Sequence, residues 1–455
     1  MAFPMVDFDR FLFAFTIGSH ILLVSVSITL SILISITEFL SIRYNDRYYG
    51  ALARKLLRVF VVSFGVGTAS GVVMAVELVN LFPGFMTLVS QTGVIAVFYV
   101  EIFAFFMETM FLVVYVYYSS SFRGKYVHWA LTIPIVLGTL LSGALITMVN
   151  AWMNTPNGFD IPAYVSTGRL TGINPWAPFI TVSTGAEIFH VLSMIVLTGT
   201  MVVGAYFAYR YLGSRADDER MLFLKGLRVT TVIAVVSIVL TVVSGINEIT
   251  TLLKDQPLKY AAIELNPYPG TNLPEHIFGT AIGGKAVGGF EIPGLQSLLV
   301  KLETGTTQLP GLSQYPQSEW PPLIVHTTFD IMVLSALLMG LFIVVFALLW
   351  VLRRHPYDNR VMSYAVQFLG PFTLFIMELG WVTDELGRQP WIVYNVMKVS
   401  QAANYSTALF IPGLAIIAFY IILIPFTFYF FARVFNSKPL DRELRERTFG
   451  GGVNY

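Results

Sequence analysis

The 455-residue sequence has no cysteine and few charged side chains, and both shortages narrow what the protein can be. Without cysteine it can form no disulfide, no cysteine-ligated haem and no cysteine-held iron–sulfur cluster. Any metal must therefore be held by His, Met, Glu, Asp or Tyr. Charged residues make up 12% of the chain, whereas soluble domains contain about 25%. The formal net charge of +1 gives no electrostatic basis for binding nucleic acid.

Long apolar runs are what the chain has in abundance, with 55% hydrophobic residues and a mean hydropathy of +0.70. A helix needs about 20 apolar residues to cross a bilayer core. Nine segments meet this requirement: 11–40, 57–82, 92–119, 128–150, 182–209, 223–253, 322–352, 361–385 and 405–434. The sequence therefore predicts an all-α, polytopic membrane helix bundle with about nine transmembrane helices. No basic region precedes the first segment, so we expect no signal peptide there.

The distribution of basic residues predicts the orientation of the bundle. Twenty of the 28 Lys and Arg residues lie at or beside the connections after the first, third, fifth and seventh segments, or in the C-terminal tail. Cytoplasmic connections carry such an excess, which predicts an N-terminus outside and a cytoplasmic C-terminus. The expected organisation is membrane helices one to six over 1–253, an extracytoplasmic loop over 254–321, helices seven to nine over 322–435 and a cytoplasmic tail over 436–455.

The stretch MELGWVTDELGRQPW carries several polar side chains at the end of the eighth segment. Glu378 and Glu385 are seven residues apart, so both lie on one face of a helix. Arg388 can bind an anionic group through two hydrogen bonds, and Trp391 suits a membrane interface. A carboxylate at membrane depth indicates a functional site by default. The alternative is a carboxyl group satisfied by a neighbouring helix.

Other polar residues lie inside the predicted helices. Glu101 and Glu108, seven residues apart on the third segment, suit a proton relay or a metal site. His20, on the first segment, fits a hydrogen-bonded imidazole or a metal ligand equally well. Ser142 lies near the end of the fourth segment. Glu77, near the outer end of the second, is expected to face water.

Two further pairs of residues come from different parts of the chain. A lone methionine such as Met332 is more often a core residue than a ligand. Together with His190 at a similar depth, however, it suits a six-coordinate low-spin haem. In the long outer connection, Lys259 and Glu264 can meet a polar headgroup, and the alternative is a solvated loop.

With these motifs assembled, the chain resembles subunit I of the cytochrome bd quinol oxidases over nearly its whole length. The resemblance rests on GRQPW with ELGW upstream, QPLKYAAIE, NAWMNTP, FHVLSM around His190 and DRFLFAFTIGSH around Arg10. It implies that His190 and Met332 ligate haem b558. It also implies that His20 and Glu378 serve haems b595 and d, with the assignment between these two haems left open.

The same resemblance implies roles for the remaining candidates. Glu101 is associated with haem ligation, and Glu101, Glu108 and Ser142 with proton delivery. The outer connection resembles a short Q-loop, in which Lys259 and Glu264 take part in quinol oxidation. The roles expected for Arg10, Arg388 and Trp391 are contact with haem propionates or structural support.

The resemblance further implies a reaction and a set of partners. Quinol is oxidised at the outer side, and electrons pass through the haems to dioxygen. Protons for its reduction to water come from the cytoplasm, so proton motive force arises without pumping. A second membrane subunit is expected, the family allows a small single-helix subunit, and the location is the plasma membrane of a prokaryote.

Four positions depart from the family pattern. Asp330 stands where many members have Arg, Leu374 where some have Trp, and Ala75 where a glutamate is usual, with Glu77 two residues later; LNPYPG follows Glu264. These departures favour one alternative, a haem-containing quinol-linked subunit of an atypical bd-like complex that does not reduce oxygen. The other alternative is an ion or proton transporter that uses the same carboxylates.

Overall fold

A computed structural model describes residues 5–118, 124–282 and 285–446 of the chain. In chain order the helices are α1 (Met5–Tyr44), α2 (Arg47–Leu81), α3 (Pro83–Gln91), α4 (Ile95–Tyr117), α5 (Lys125–Ala130), α6 (Thr132–Asn154), α7 (Ile161–Thr167), α8 (Thr184–Gly213), α9 (Asp217–Asp255), α10 (Pro257–Ile263), α11 (Leu295–Thr304), α12 (Ile324–Val351), α13 (Arg360–Gly387), α14 (Val399–Ala402), α15 (Phe410–Phe435) and α16 (Leu440–Arg445).

Nine helical segments in the described ranges are long and apolar enough to cross a membrane. They correspond to α1, α2, α4, α5 with α6, α8, α9, α12, α13 and α15, which confirms the nine predicted segments. Most extend a few residues beyond the predicted apolar runs, because a helix continues through its polar ends. Residue 119 of the third predicted segment and residues 447–455 of the predicted tail lie outside the described ranges.

Short connections turn consecutive spans into antiparallel hairpins. Between α1 and α2 the chain reverses over two residues, Asn45 in a left-handed conformation (φ 50°) and Asp46. The Asp46 carboxylate accepts a hydrogen bond from Tyr48 N at 2.9 Å and so caps the start of α2. Asn359 caps α13 in the same way, through Val361 N at 2.9 Å. These caps satisfy backbone N–H groups that the helix itself leaves unpaired.

Helix α1 lies at the centre of the bundle. It packs against α2, α6, α8 and α15, and α8 in turn packs against α9 and α13. Lipid is as apolar as a leucine side chain, so close van der Waals packing rather than hydrophobic burial holds such helices together. Two large apolar clusters result. One includes Leu33, Phe60 and Phe207, and the other includes Phe85 and Trp152.

The connection between α9 and α12 folds back on the bundle. It contains α10 and α11 and two short hairpins, in which β1 (Glu275–Ile277) pairs with β4 (Phe290–Ile292) and β2 (Thr280–Ile282) with β3 (Lys285–Val287). Apolar side chains of α10 pack with Leu252 of α9 and Val325 of α12. A third hairpin, β5 (Trp391–Val393) with β6 (Met397–Lys398), follows α13.

The crossing of α1 and α8 generates a prediction about stability. A methyl group on Gly199 would lie 2.5 Å from the backbone oxygen of Ser25, whereas one on Gly185 meets nothing within 4 Å. We therefore expect Gly199→Ala to destabilise the protein by about 1–3 kcal/mol. Gly185→Ala should be neutral or slightly stabilising, because alanine favours helix. Thermal unfolding of the purified variants measures both. A melting temperature for Gly199→Ala equal to that of Gly185→Ala would contradict the close packing.

Candidate functional site

His190, on α8, is oriented by a serine on the neighbouring helix. Its Nδ1 lies 3.1 Å from Ser244 Oγ on α9. The Ser244 hydroxyl donates its hydrogen to Thr241 O at 3.0 Å, so it can only accept from the imidazole. Nδ1 therefore carries the hydrogen, and the lone pair of the ring is on Nε2. Gly245 lets α9 come close, since a methyl group there would lie 3.5 Å from His190 Cε1.

The same arrangement orients His20 on α1. Its Nδ1 lies 3.2 Å from Ser70 Oγ on α2, and Ser70 Oγ lies 2.9 Å from Tyr420 Oη. Tyr420 donates to Ser70 O at 3.3 Å, so Ser70 donates to Tyr420 and accepts from His20. A methyl group on Gly71 would lie 3.3 Å from His20 Cε1. Each imidazole is thus held by a Ser-Gly pair on the next span, with Nε2 left for a ligand.

The thioether of Met332 lies against α13. A methyl group on Gly380 would lie 3.2 Å from Met332 Sδ and 3.6 Å from Met194 Cε. Met194 is one helical turn after His190 on α8. Gly380 of α13 therefore faces both methionines. The part of α12 that carries Met332 lies close to the part of α8 that carries His190.

Glu378 lies in contact with α1. Its Oε2 would be 2.6 Å from a methyl group on Gly18, two residues before His20. Its Oε1 is buried, and no residue in the described ranges hydrogen-bonds to it. The structure thus brings Glu378 and His20 to the same section of α1, and the Glu378 carboxyl retains a free oxygen.

The two carboxyl groups of α4 face α6. Ser142 Oγ donates to Glu101 Oε1 at 2.7 Å. Glu108 is buried beside Gly138, where a methyl group would lie 2.9 Å from Glu108 Cβ. Its Oε1 lacks a hydrogen-bond partner in the part of the chain that is described. Glu101, Glu108 and Ser142 therefore form one polar strip along the α4–α6 contact.

A network of charged groups and amides lies where α6, α8, α10 and α13 meet. Lys259 of α10 donates to Asp384 of α13, with which it forms an ion pair. Its aliphatic stem runs past Gly387, where a methyl group would lie 2.8 Å from Lys259 Cε. Asn150 of α6 donates to the other oxygen of Asp384 at 2.9 Å. Lys259 is only 2% exposed, so the solvated-loop alternative is wrong for this residue.

Arg388 is the second cation of this network. Its guanidinium donates to Asn150 Oδ1 at 2.9 Å, Asn154 Oδ1 at 2.8 Å and Glu385 Oε2 at 2.5 Å. Asn154 also donates to Glu187 of α8 at 3.1 Å. Arg388 Nε is buried and has no partner within the described residues, which leaves one donor for an anionic ligand. The charge of Glu385 raises the pKa of Arg388 against the opposing effect of burial.

Glu264 follows α10 and is also buried, at 8% exposure, so the solvated-loop alternative is wrong here too. Gln296 of α11 donates to its Oε2 at 3.2 Å. Burial raises the pKa of Glu264 well above its usual range, and the charges of Glu275 and Asp330 raise it further. Burial, followed by the charge of Asp330, raises the pKa of Glu275 to about 7.

Asp330, one of the four departures, ties the outer connection to α12. Its Oδ2 accepts from Phe278 N at 2.6 Å and lies 3.2 Å from His326 Nε2. His326 Nδ1 lies 2.7 Å from Ile263 O at the end of α10. Where many family members have a cation, this chain therefore has an acceptor for a backbone N–H.

Three other expectations concern isolated residues. Glu77 is 4% exposed, and both of its oxygens lack a partner among the described residues, so the expected exposure to water is wrong. It lies seven residues after Ser70 and shares the inward face of α2, whereas Ala75 is exposed. Arg10 forms a 3.4 Å pair with Asp7. Trp391 packs its ring 5.2 Å from Lys398 Nζ.

Comparison with known proteins identifies the family. Residues 8–439 match the family model described as cytochrome bd terminal oxidase subunit I. The chain belongs to this family. It is 28% identical to a Bacillus subtilis (strain 168) protein provisionally named cytochrome bd menaquinol oxidase subunit I, covering 96% of this chain and 97% of that one. It is also 26% identical to the cytochrome bd ubiquinol oxidase subunit 1 of the same strain, over 87% and 85% of the two chains.

The fold agrees with a solved relative. The bd oxidase from Geobacillus thermodenitrificans superposes with a TM-score of 0.88 at 29% identity, covering 96% of this chain and 99% of that one. The membrane helix bundle is thereby confirmed. Cytochrome bd oxidases bind haems, use quinol and are membrane complexes with a second subunit, so this chain is a haem-bearing, multi-pass subunit of an oxidoreductase.

The residues described above fit haem. Both tethered imidazoles present Nε2, the ring nitrogen that an iron ligand uses when Nδ1 donates elsewhere. Glu378 Oε1 and Arg388 Nε are buried polar atoms without partners in the described ranges. A bound haem would give each of them a partner, an iron for the carboxyl oxygen and a propionate for the guanidinium. No group of three or more His, Asp and Glu suited to a metal ion occurs in those ranges. Haem needs only one or two axial ligands, so this finding agrees with it.

The serine tethers were missed by sequence reasoning, and they generate a prediction. Losing the partner of a ligating imidazole weakens metal binding about 10–100-fold. We expect Ser244→Ala to lower the occupancy of the low-spin haem and His190→Ala to remove its signal. The reduced-minus-oxidised spectrum per mole of protein measures both.

Ser193→Ala is the matched control for this experiment. Ser193 is one turn from His190, and its hydroxyl donates to Phe189 O of its own helix at 2.6 Å. Its removal should leave the spectrum unchanged. Equal spectra for Ser244→Ala and Ser193→Ala would contradict the tethering role.

Proposed function

We propose that this chain is the haem-bearing subunit of a terminal oxidase in the plasma membrane of a prokaryote. The complex couples oxidation of quinol to reduction of dioxygen to water. One observation carries the proposal: two serine-tethered imidazoles share the bundle with the half-buried carboxyl group of Glu101 and the buried one of Glu108. The imidazoles suit iron and the carboxyl groups suit proton delivery, and oxygen reduction requires both. A second membrane subunit completes the complex, and a small single-helix subunit is compatible with it.

Two sets of residues would hold the haems. His190 and Met332 would hold haem b558, whereas His20 and Glu378, with Glu101 as a further candidate ligand, would hold haems b595 and d. The bound haems supply electron transfer and the iron at which dioxygen is reduced. Arg388, with its free Nε, is placed to bind a propionate. The Nδ1 tethers orient both imidazoles before any ligand binds, so little ordering is needed when it does.

Quinol oxidation is assigned to the outer side, at Lys259 and Glu264. Asp384 holds Lys259 at the end of α13, in the same network as Arg388. Glu264 is a buried carboxyl group that can take a proton from a quinol hydroxyl as the electrons leave. The two relatives named above carry menaquinol and ubiquinol in their names.

Protons for oxygen reduction are assigned to the strip along α4 and α6. Glu108 receives a proton from the cytoplasmic side and passes it towards Glu101, whose carboxyl group Ser142 orients. With the N-terminus outside, quinol protons are released on one side of the membrane and consumed from the other. Proton motive force then arises without a pump.

Replacing the two carboxyl groups of α4 tests this function. We expect Glu108→Gln and Glu101→Gln each to lower oxygen uptake with a quinol analogue at least about tenfold, because general acid–base groups contribute 10²–10⁴-fold. Thr109→Val is the control, since the Thr109 hydroxyl donates only to Phe105 O of its own helix, at 2.9 Å. Uptake at the wild-type rate in both glutamine variants, with normal haem spectra, would refute the relay.

The pH dependence of quinol oxidation tests Glu264. Its carboxylate accepts a proton only above its raised pKa, so we expect the rate to fall with decreasing pH well above the ordinary carboxyl range. Glu264→Gln should lower the rate about a hundredfold or more. Glu275→Gln removes a like charge, lowers the pKa of Glu264 and should shift this decline to lower pH.

The control for the shift is Glu291→Gln, which removes an exposed carboxylate from β4 in the same outer connection. It should leave the pH at which the rate declines unchanged. A profile that is identical in wild type, Glu275→Gln and Glu291→Gln would argue against Glu264 as the proton acceptor.

A further inference from the structure

A second cluster of buried titratable groups lies where α1, α4 and α5 meet, apart from the residues discussed so far. Glu38, Tyr115 and His128 are 1%, 0% and 0% exposed. Tyr115 Oη donates to Glu38 Oε2. His128 Nδ1 lies 2.7 Å from Glu38 Oε1, and His128 Nε2 lies 3.2 Å from Tyr115 O. The three groups are therefore joined by hydrogen bonds.

The geometry of this unit shows that it holds a transferable proton. Both ring nitrogens of His128 face acceptors, a carboxylate oxygen on one side and a backbone carbonyl on the other. A neutral imidazole carries only one N–H and cannot donate to both. The hydrogen bond between Glu38 Oε1 and His128 Nδ1 is therefore a contact along which a proton can pass from one group to the other.

A column of hydroxyl groups continues from this cluster between α1 and α6. Thr132 Oγ1 lies 2.8 Å from Ser35 Oγ and 2.7 Å from Trp129 O, to which its hydrogen can also be donated. Further along, Ser31 Oγ lies 3.1 Å from Thr139 Oγ1, and the two hydroxyls also donate to Ile28 O and Val136 O of their own helices. A cavity of about 10 Å³ beside them is lined by Ser31, Thr132 and Tyr115 and by five apolar side chains.

The column leads to Glu108. Tyr115 and Glu108 are seven residues apart on α4, so they lie on one face about 10.5 Å apart along the axis. Gly138, adjacent to Thr139, is the residue of α6 that faces Glu108. Glu108, whose Oε1 is unpaired within the described residues, therefore packs through its Cβ against the part of α6 that carries Thr139.

The cluster lies towards the basic end of the bundle. Helix α5 begins at Lys125, and α1 ends with Arg43 in its last turn. Phe39 and Trp129 pack with ring centroids 5.2 Å apart beside it. By the distribution of basic residues, this is the cytoplasmic end.

We propose that Glu38, His128 and Tyr115 form a proton-loading cluster that supplies Glu108 along the hydroxyls of Ser31, Ser35, Thr132 and Thr139. The proposal rests on the proposed function, in which Glu108 delivers protons for oxygen reduction. Each transfer breaks one O–H or N–H bond and forms another, because a hydroxyl accepts a proton on one side and releases one on the other. A proton from cytoplasmic water then restores the cluster.

The experiment follows proton uptake in the complete complex. Reduced enzyme is mixed with oxygen in weakly buffered solution, and a pH-indicator dye reports uptake during a single turnover. We expect Glu38→Gln and His128→Gln to slow uptake about tenfold, with normal haem spectra and an unchanged rate of haem reduction by quinol. Thr37→Val is the control, because the buried Thr37 hydroxyl donates only to Leu33 O and Ile34 O of its own helix.

Each result decides between a proton path and a merely structural ion pair. Uptake at the wild-type rate in Glu38→Gln and His128→Gln, while Glu108→Gln is slow, overturns the loading cluster and leaves the proposed function standing. Normal uptake in Glu108→Gln as well overturns both. Slowing of haem reduction in parallel, or equal slowing in Thr37→Val, indicates a structural role and overturns the proposal.

A second variant decides the case in which both cluster variants assemble without haem. Ser31→Ala combined with Thr139→Val removes two hydroxyls from the column and leaves Glu38, Tyr115 and His128 in place. Slow uptake in this double variant supports the path. Uptake at the wild-type rate overturns it.

Discussion

A polar group at membrane depth has no water to bind, so it must find its partner on another helix. This constraint explains the placement of the two histidines. Each lies on the first helix of a hairpin, and the second helix supplies a serine to Nδ1 and a glycine against the ring. Neither imidazole is satisfied at Nε2 by these contacts. The same local solution in the α1–α2 and α8–α9 hairpins orients both rings before any cofactor is bound.

The need for a partner is met in a different way at one end of the bundle. At the meeting of α6, α8, α10 and α13, two cations are surrounded by carboxylates and asparagine amides, so each charge is paired and hydrogen-bonded. Removing one partner from such a buried pair generally costs about 3–5 kcal/mol, because the other charge is left uncompensated. Deeper in the bundle, Glu108 and Glu378 keep oxygens without partners in the described residues. At this meeting point the protein therefore pairs both charges, whereas Arg388 Nε, Glu108 and Glu378 retain atoms that are available to cofactors and protons.

Much of the fold could be predicted because the relevant signal is local. Runs of about 20 apolar residues located all nine spans, and seven-residue spacing placed Glu101 and Glu108 on one face. Which polar side chains are buried against another helix could not be predicted in this way. Glu77 is near the end of its span, yet it faces inwards because it shares a face with Ser70. Asp384 lies within the stretch that we singled out, but its importance depends on Lys259, 125 residues away in the chain.

The partners of the histidines show the same limit. Ser70-Gly71 and Ser244-Gly245 are identical pairs in the helix after each intramembrane histidine, and comparing the two hairpins would have found them. The cluster of Glu38 and His128 offered no such signal, because the two residues are 90 positions apart and neither is part of a recognisable motif.

The contact between Asp330 and Phe278 has a mechanical consequence. Asp330 precedes Met332 by two residues on a continuous helix, and its carboxylate holds the backbone of the outer connection at 2.6 Å. No break in the helix separates Asp330 from Met332, so the hydrogen bond to the outer connection and the thioether belong to the same rigid segment. A displacement of the outer hairpins would therefore act on α12 two residues from the thioether that is expected to bind iron.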